Sequence, residues 1–310
     1  MRVLVTGGAG FIGSNFVRWL HSTHPREISK LAVLDALTYA GSLRNLEGFI
    51  GDVEFIEGDI RNFELLDSTV KGFDIVIHFA AETHNDNSLK TPNIFFETNV
   101  FGTLNLANAC LRRAARLHHV STDEVFGDLP IEGDDEFIVS SPYRPSSPYS
   151  ASKASSDHII RAWVRSFDLG ATISNCSNNY GPNQHSEKLI PATIGALRRG
   201  EQPVLYGSGL NIRDWIHVDD HSSGVWLAAT KGTIGETYLF GSNDRVRNLD
   251  LVNMLIRCHG GKVTEPSFVP DRAGHDKKYA IDASHSVAKL GWTPAHAPIL
   301  TQGDYLLSHY

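Results

Sequence analysis

Along the first half of the chain, short apolar runs alternate with stretches in which apolar residues recur every three or four positions. That pattern builds a parallel sheet with helices packed on both faces. The strand candidates are Arg2 to Thr6, Leu31 to Asp35, Val53 to Glu57, Ile75 to Phe79, His119 to Ser121 and Thr172 to Cys176. The clearest helical patterns cover Ile12 to His21, Pro92 to Ala115 and Tyr149 to Phe167. Beyond Gly181 the alternation loosens into segments rich in Pro, Gly and Arg, such as Tyr206 to Asp214 and Pro266 to His275. The expected division is residues 1–181 as a nucleotide-binding unit, with a return segment at about 218–241. Residues 182–217 and 242–310 then form a smaller lobe over the sheet. No internal repeat or low-complexity tract interrupts this plan.

With 310 residues, 41% of them hydrophobic, the chain can bury a large core. A formal charge of -7 argues against a nucleic-acid surface, which needs a dense cationic footprint. Cys110, Cys176 and Cys258 are widely spaced and match neither a disulfide framework nor a paired metal-thiolate motif. The first residues already read as a strand rather than a leader, and no apolar run approaches the ~20 residues of a membrane helix. A cytoplasmic protein is expected.

The first strand runs directly into Thr6-Gly7-Gly8-Ala9-Gly10-Phe11-Ile12-Gly13, which opens the first helix. Glycines at this spacing permit a tight turn, close approach of backbone to a pyrophosphate and close packing of helix on strand. The helix N-terminus then offers N–H groups and a positive dipole end to the phosphates. Asp35 closes the second strand, where a carboxylate would accept the adenosine ribose hydroxyls and repel a 2′-phosphate. The reading is a Rossmann-type doubly wound α/β sheet that binds NAD in preference to NADP. Asp59 and Ile60, after the third strand, could reach the adenine, or be an ordinary loop.

Two features at predicted sheet ends carry candidate chemistry. In Tyr149-Ser150-Ala151-Ser152-Lys153, a spacing of four puts phenol and ammonium on one helix face, and the ammonium favours a phenolate base. The plain alternative is a surface tyrosine over a solvated lysine. In Ser121-Thr122-Asp123-Glu124, an acidic pair follows a hydroxyl at the C-terminal edge of a strand, where open parallel sheets bind ligands. Two carboxylates there suit an elimination of water, one protonating the leaving hydroxyl and the other removing a carbon-bound proton. They could equally begin the acidic loop that continues through Asp128, Glu132, Asp134, Asp135 and Glu136.

Together, the glycine turn and Tyr149-x-x-x-Lys153 resemble the extended short-chain dehydrogenase/reductase family, and within it the nucleotide-sugar 4,6-dehydratases that act on dTDP-glucose. The similar stretches are Leu37 to Gly41, Ser121 to Gly127, Ser146 to Trp163, Asn175 to Pro182, Glu187 to Pro191, Ile212 to Trp215 and Asp271 to Asp282. The resemblance implies that Thr122 orients the sugar 4-hydroxyl, Tyr149 deprotonates it, and Lys153 holds Tyr149 and the nicotinamide ribose. Glu124 then removes the proton at carbon 5 while Asp123 protonates the departing 6-hydroxyl. Hydride lent to NAD from carbon 4 returns at carbon 6, a hydro-lyase reaction of deoxysugar biosynthesis. Cofactor contacts implied in addition are Leu37, Thr38, Ala80, Ala81 and Asn179. Substrate contacts implied are Thr83, Asn178, Lys188, Leu189, Arg213, Asn248, Arg272, His275 and Tyr279. The alternatives are a UDP-linked dehydratase and a nucleotide-sugar 4-epimerase, which would have no use for Asp123 and Glu124.

Where the family usually reads Ala-Ala-Glu-Ser-His-Val-Asp-Arg, this chain has Ala80-Ala81-Glu82-Thr83-His84-Asn85-Asp86-Asn87. His217 and His221 stand four apart, a zinc-chelating spacing, but without the glutamate of the zinc-protease motif no metal is expected. Helices Pro92 to Ala115 and Tyr149 to Phe167 carry apolar residues on more than one face, among them Phe95, Leu104, Leu106, Ile159, Ile160, Trp163 and Phe167. Related proteins pair through these helices, so a homodimer closed by a four-helix bundle is expected.

Overall fold

The computed structural model describes residues 1–310. From the N-terminus, β1 (Arg2–Thr6), α1 (Phe11–Thr23), β2 (Lys30–Asp35), β3 (Glu54–Glu57), α2 (Phe63–Val70) and β4 (Ile75–His78) alternate in space as in sequence. There follow α3 (Asn85–Lys90), α4 (Pro92–Phe95), a π-helical stretch Phe96–Gly102 and α5 (Thr103–Arg113). Then come β5 (Arg116–Thr122), α6 (Pro148–Phe167), β6 (Ala171–Cys176) and β7 (Asn178–Tyr180). The remainder comprises α7 (Leu189–Arg198), β8 (Val204–Tyr206), β9 (Ile212–His217), α8 (Val218–Lys231), β10 (Thr237–Phe240), β11 (Arg245–Arg247), α9 (Asn248–His259), β12 (Ser267–Val269), α10 (Ser284–Leu290) and α11 (Gly303–His309).

Seven strands form one sheet in the order β10-β6-β5-β4-β1-β2-β3, and every pairing is parallel. The chain leaves β1 toward β2 and β3, then crosses back to β4 on its other side. That reversal opens a crevice at the carboxyl ends of β1 and β4, where ligands of such sheets bind. Along β1 the side chains divide between the faces as a pleat requires: Val3 and Val5 pack with Phe16, Val17 and Leu20 of α1 and Val225 of α8. Leu4 points the other way, into a layer with Leu66 and Val70 of α2, Leu106 and Cys110 of α5 and Ile160 of α6. Both faces are thus covered, which is why the strands read as nearly continuous apolar runs.

β5 departs from that rule by burying His118 and His119. His118 bonds Thr172 Oγ1 at 2.8 Å and Ser174 Oγ at 3.0 Å across β6, so its ring is satisfied inside the sheet. The long helix expected over Pro92 to Ala115 contains the π-helical stretch, and Ala114 ends it in the left-handed conformation.

The rest of the chain has a core of its own. Ile190, Ile194 and Leu197 of α7 pack with Leu251, Val252 and Leu255 of α9, together with Trp215 and Val246. Small sheets β11-β9-β7 and β12-β8 support it. No helix is long and apolar enough to cross a membrane. All three cysteines are free thiols.

Candidate active site

The turn after β1 leaves no room for side chains. Gly7 has φ +72°, and a Cβ there would lie 2.5 Å from Ala80 N; one on Gly13 would lie 2.1 Å from Gly7 O. No side chain caps α1, whose N-cap is Gly10. At the end of β2 the buried Asp35 carboxylate accepts the Ala9 and Leu37 N–H groups, each at 2.9 Å, tying the two turns together. Burial raises its pKa against the pull of those bonds.

These residues line one cavity of about 490 Å³. Gly7, Gly10, Phe11, Ile12, Gly13, Asp35, Thr38, Asp59, Ile60, Ala80, Ala81 and Asn179 all line it. Leu37 is absent from the wall: at φ 48° it turns the chain, and its side chain packs against the α1 side of the core. Burial raises the Asp59 carboxyl, but bonds from Arg61 at 2.7 and 2.9 Å outweigh it and lower the pKa. A bare, crowded glycine turn beside a helix start, with an acid across it, fits a dinucleotide.

Thr122, Asp123, Glu124, Tyr149 and Lys153 border the same cavity. Thr122 is the last residue of β5, and its Oγ1 accepts the Glu124 N–H at 3.3 Å, turning the chain so that the acidic pair meets the crevice. Tyr149 is the second residue of α6. Ser147 caps that helix in a reciprocal box with Ser150, and Pro148 sits at its first position. One turn on, Lys153 Nζ donates to Val120 O at 2.9 Å, pinning α6 to β5.

Burial dominates the electrostatics. Asp123 is buried at the cavity wall, its Oδ2 has no partner, and desolvation, Glu124 and Asp214 hold its pKa well above the ordinary value. Desolvation lowers Lys153 to about 8 against Asp157 and Cys176. Tyr149 is pushed well above its ordinary pKa by burial and then by Glu124, with Thr122 pulling it down. Burial and the Glu124 carboxylate thus favour the neutral phenol in the fold without cofactor, and the phenolate needs positive charge beside it.

The other residues implied by the resemblance fall into two groups. Thr83, Asn178 and Lys188 line the cavity, and Lys188 Nζ donates to Thr83 O at 3.4 Å. Leu189 opens α7 and packs on the small-lobe core instead. Arg213, Arg272, His275, Tyr279 and Asn248 stand outside that cavity's wall, on the small lobe. The Arg213 guanidinium lies 4.3 Å over the Tyr279 ring and donates to Asp276 O at 2.9 Å. Arg272 faces Asp86 at 3.5 Å, and His275 bonds Asp271 at 2.6 Å. Arg213 acts on Asp123, and Glu124 on Tyr279, so the cluster borders the catalytic end. Asn178 Oδ1, Asn248 Oδ1 and Arg272 Nε are buried without partners, groups that a polar ligand can satisfy.

Sequence reasoning missed what lies behind and beside these groups. Asp157, one turn beyond Lys153, accepts from Asn175 Nδ2 at 3.0 Å and Tyr143 Oη at 2.6 Å and pairs with His119 at 3.1 Å. Asn175 also donates to Thr122 O at 3.0 Å, bracing the end of β5. The i, i+4 relation to Lys153 was the available signal. Asn85, at the start of α3, donates to Glu124 Oε2 at 2.8 Å, a contact between distant segments that no local pattern announces.

The histidines four apart are split by the fold. His221 is buried against Asn179 Oδ1 at 2.9 Å, whereas His217 caps α8 and bonds Tyr305 Oη at 2.8 Å. His217, Asp219 and His296 do converge. However, the His217 and His296 rings stack at 3.7 Å and 13°, so their in-plane lone pairs do not meet at one point, and Arg18 pairs with Asp219.

Sheet order, glycine turn and acid together define a dinucleotide-dependent Rossmann-type enzyme, with two adjacent carboxyls, Asp123 and Glu124, on the same cavity. Residues 4–297 match the family described as GDP-mannose 4,6 dehydratase, and the chain belongs to it. It is 51% identical to the dTDP-glucose 4,6-dehydratase of Mycolicibacterium smegmatis over 296 residues, which cover 96% of this chain and 89% of that one. A dTDP-glucose 4,6-dehydratase from Streptomyces venezuelae, solved with NAD and dTDP bound, superposes with a TM-score of 0.94 at 41% identity, covering 99% and 96% of the chains. A Thermus thermophilus UDP-glucose 4-epimerase in complex with NAD gives 0.87 at 29% identity, covering 99% of each.

Proposed function

We propose that the chain dehydrates dTDP-glucose to dTDP-4-keto-6-deoxy-glucose as an NAD-dependent hydro-lyase. One observation carries this reading: Asp123 and Glu124 open onto the cavity that also holds Tyr149 and Lys153. An epimerase would leave that acid and base idle.

The hydride chemistry that oxidises carbon 4 of the sugar and later reduces carbon 6 would be supplied by bound NAD. Gly7, Gly10, Phe11, Ile12 and Gly13 would hold its pyrophosphate, Asp35 and the turn at Leu37 and Thr38 its ribose, and Asp59 and Ile60 its adenine. Ala80, Ala81, Asn179 and Lys153 would flank the reactive half. Tyr149 takes the proton of the 4-hydroxyl, oriented by Thr122, and it reaches its basic form as positive charge gathers around it. The resulting ketone acidifies carbon 5, whose proton Glu124 removes. Asp123, kept protonated by burial, delivers its proton to the departing 6-hydroxyl, as its raised pKa suits it to do.

Thr83, Asn178, Lys188, Leu189, Asn248, His275 and Tyr279 would surround the nucleotide sugar, and Arg213 and Arg272 suit its diphosphate through paired guanidinium donors. On this reading residues 1–181 with about 218–241 form the NAD unit, and 182–217 with 242–310 the substrate lobe. A cytoplasmic homodimer completes the picture. Phe101 and Phe167 are 59% and 52% exposed on neighbouring helical segments, while Phe95, Leu106 and Ile160 are buried, which supports a partner on the outer face.

The test is to incubate the protein with dTDP-glucose and with UDP-glucose in heavy water. A 4-keto-6-deoxy product carrying deuterium at carbon 5, formed preferentially from dTDP-glucose, is expected. A 4-epimer without ketone would overturn the proposal.

A further inference from the structure

Asn85 Nδ2 donates to Glu124 Oε2 at 2.8 Å, and its Oδ1 accepts from Ser147 Oγ at 2.8 Å. The orientation of the amide follows from chemistry, because a carboxylate only accepts and so must face the NH₂ side. Ser147 Oγ in turn accepts the Ser150 N–H at 3.1 Å, and Ser150 Oγ accepts the Ser147 N–H at 3.0 Å. A continuous chain of bonds therefore links Glu124, at the end of β5, through the first residue of α3 to the N-cap of the helix that carries Tyr149 and Lys153.

We infer that Asn85 is a positioning residue that fixes the Glu124 carboxylate relative to the catalytic helix, so that its second oxygen meets the carbon-5 proton. No other side chain hydrogen-bonds this carboxylate; Lys188 acts on it through charge, and its Nζ bonds Thr83. A glutamate has three rotatable bonds, and a proton transfer is sensitive to misplacement of the base. A charge-assisted bond to one oxygen removes that freedom and leaves the other oxygen unengaged. The inference rests on Glu124 being the base of the proposed dehydration.

Asn85→Asp separates positioning from folding. Aspartate keeps the size, can still accept from Ser147 and suits a helix N-terminus, but it cannot donate and it repels Glu124. In single turnovers with dTDP-glucose, oxidation is read from the nicotinamide absorbance and elimination from deuterium entering carbon 5. Asn85→Asp is expected to slow elimination about tenfold or more while oxidation and the melting temperature change little. Added to Glu124→Gln, which alone should stall elimination, it should cost nothing further, since both changes disable one base.

Equal slowing of oxidation and elimination, unchanged elimination, or a full additional loss in the Glu124→Gln background would each overturn the role of Asn85. Normal elimination by Glu124→Gln alone would instead remove the base assignment and this inference with it, so the two failures are told apart.

Discussion

Asp123 and Glu124 are neighbours in sequence with opposite surroundings: the first has a buried carboxyl with an unpartnered oxygen, and the second a carboxylate held by Asn85. The 3₁₀ turn capped by Thr122 produces this asymmetry. A buried acid beside a second carboxylate stays protonated, and that pairing of a donor with an acceptor is what an elimination requires.

Asp123→Asn should therefore lower turnover by about a hundredfold or more, since the leaving hydroxyl loses its acid. It should also stabilise the fold. A carboxyl whose folded pKa is raised costs stability as pH climbs from its unfolded value, and this cost is complete above the folded pKa. Melting at neutral pH should rise by the equivalent of about 1–2 kcal/mol, with a smaller gain near pH 4. An equal gain at both pH values would show that relief from holding this carboxyl protonated is not the cause.

Gly13→Ala should abolish NAD binding and destabilise the first βα unit. The new Cβ would meet the Gly7 carbonyl at 2.1 Å, and the obstacle is backbone, which cannot swing aside. A loss of about 2 kcal/mol or more in denaturant unfolding is expected, typical of overpacked sites. Calorimetric titration with NAD is the direct measurement; retained affinity would mean that the turn opens more easily than its packing implies.

The sheet and the glycine turn were legible because each rests on local chemistry: period, length and φ requirements written into adjacent residues. Thr122, Asp123, Glu124, Tyr149 and Lys153 were nameable from spacing and resemblance together, and the fold places all five on one cavity. What was not legible depends on three-dimensional meeting. Leu37 adopts a positive φ and packs its side chain on the core, so only its backbone turn is offered to the cavity side. Asn85 lies 39 positions from Glu124, and only the crossing from β4 to β5 brings them together. Burial of Tyr149, which raises its pKa, is likewise something no i, i+4 rule reports.

Asp35→Ser should weaken NAD binding and relax discrimination against NADP. The carboxylate organises the Ala9 and Leu37 amides at 2.9 Å besides offering itself to the ribose, so serine loses two acceptor roles. An increase of about tenfold or more in Kd for NAD is expected, with little change for NADP, whose 2′-phosphate no longer meets a carboxylate. Parallel titrations of both cofactors check this; an unchanged NAD-to-NADP ratio would place the discrimination elsewhere.

Acid should destabilise the protein well before the Asp157 carboxylate titrates. His119 and His221 are buried with pKa values of about 4 and about 3, and His78 and His118 are likewise held well below the ordinary value, all chiefly by desolvation. Each stays neutral in the fold but takes up a proton on unfolding once the pH falls below about 6.5. Through these rings the unfolded state thus binds more protons between about pH 6.5 and the depressed folded values, and their contribution to stability is lost as the pH drops through that window. For His119 alone the loss by pH 4 is about 3 kcal/mol, from ~1.4 kcal/mol per pKa unit. Asp157, lowered to about 2, adds a separate loss only as the pH falls below about 4. Thermal melts from pH 7.5 to 4.5 should show the decline, with net proton uptake on unfolding in calorimetry. His221→Asn should flatten the curve, because asparagine can still bond Asn179 but has no proton to gain. A melting temperature constant down to pH 5 would show that these rings are already charged, or open to water, in the folded protein.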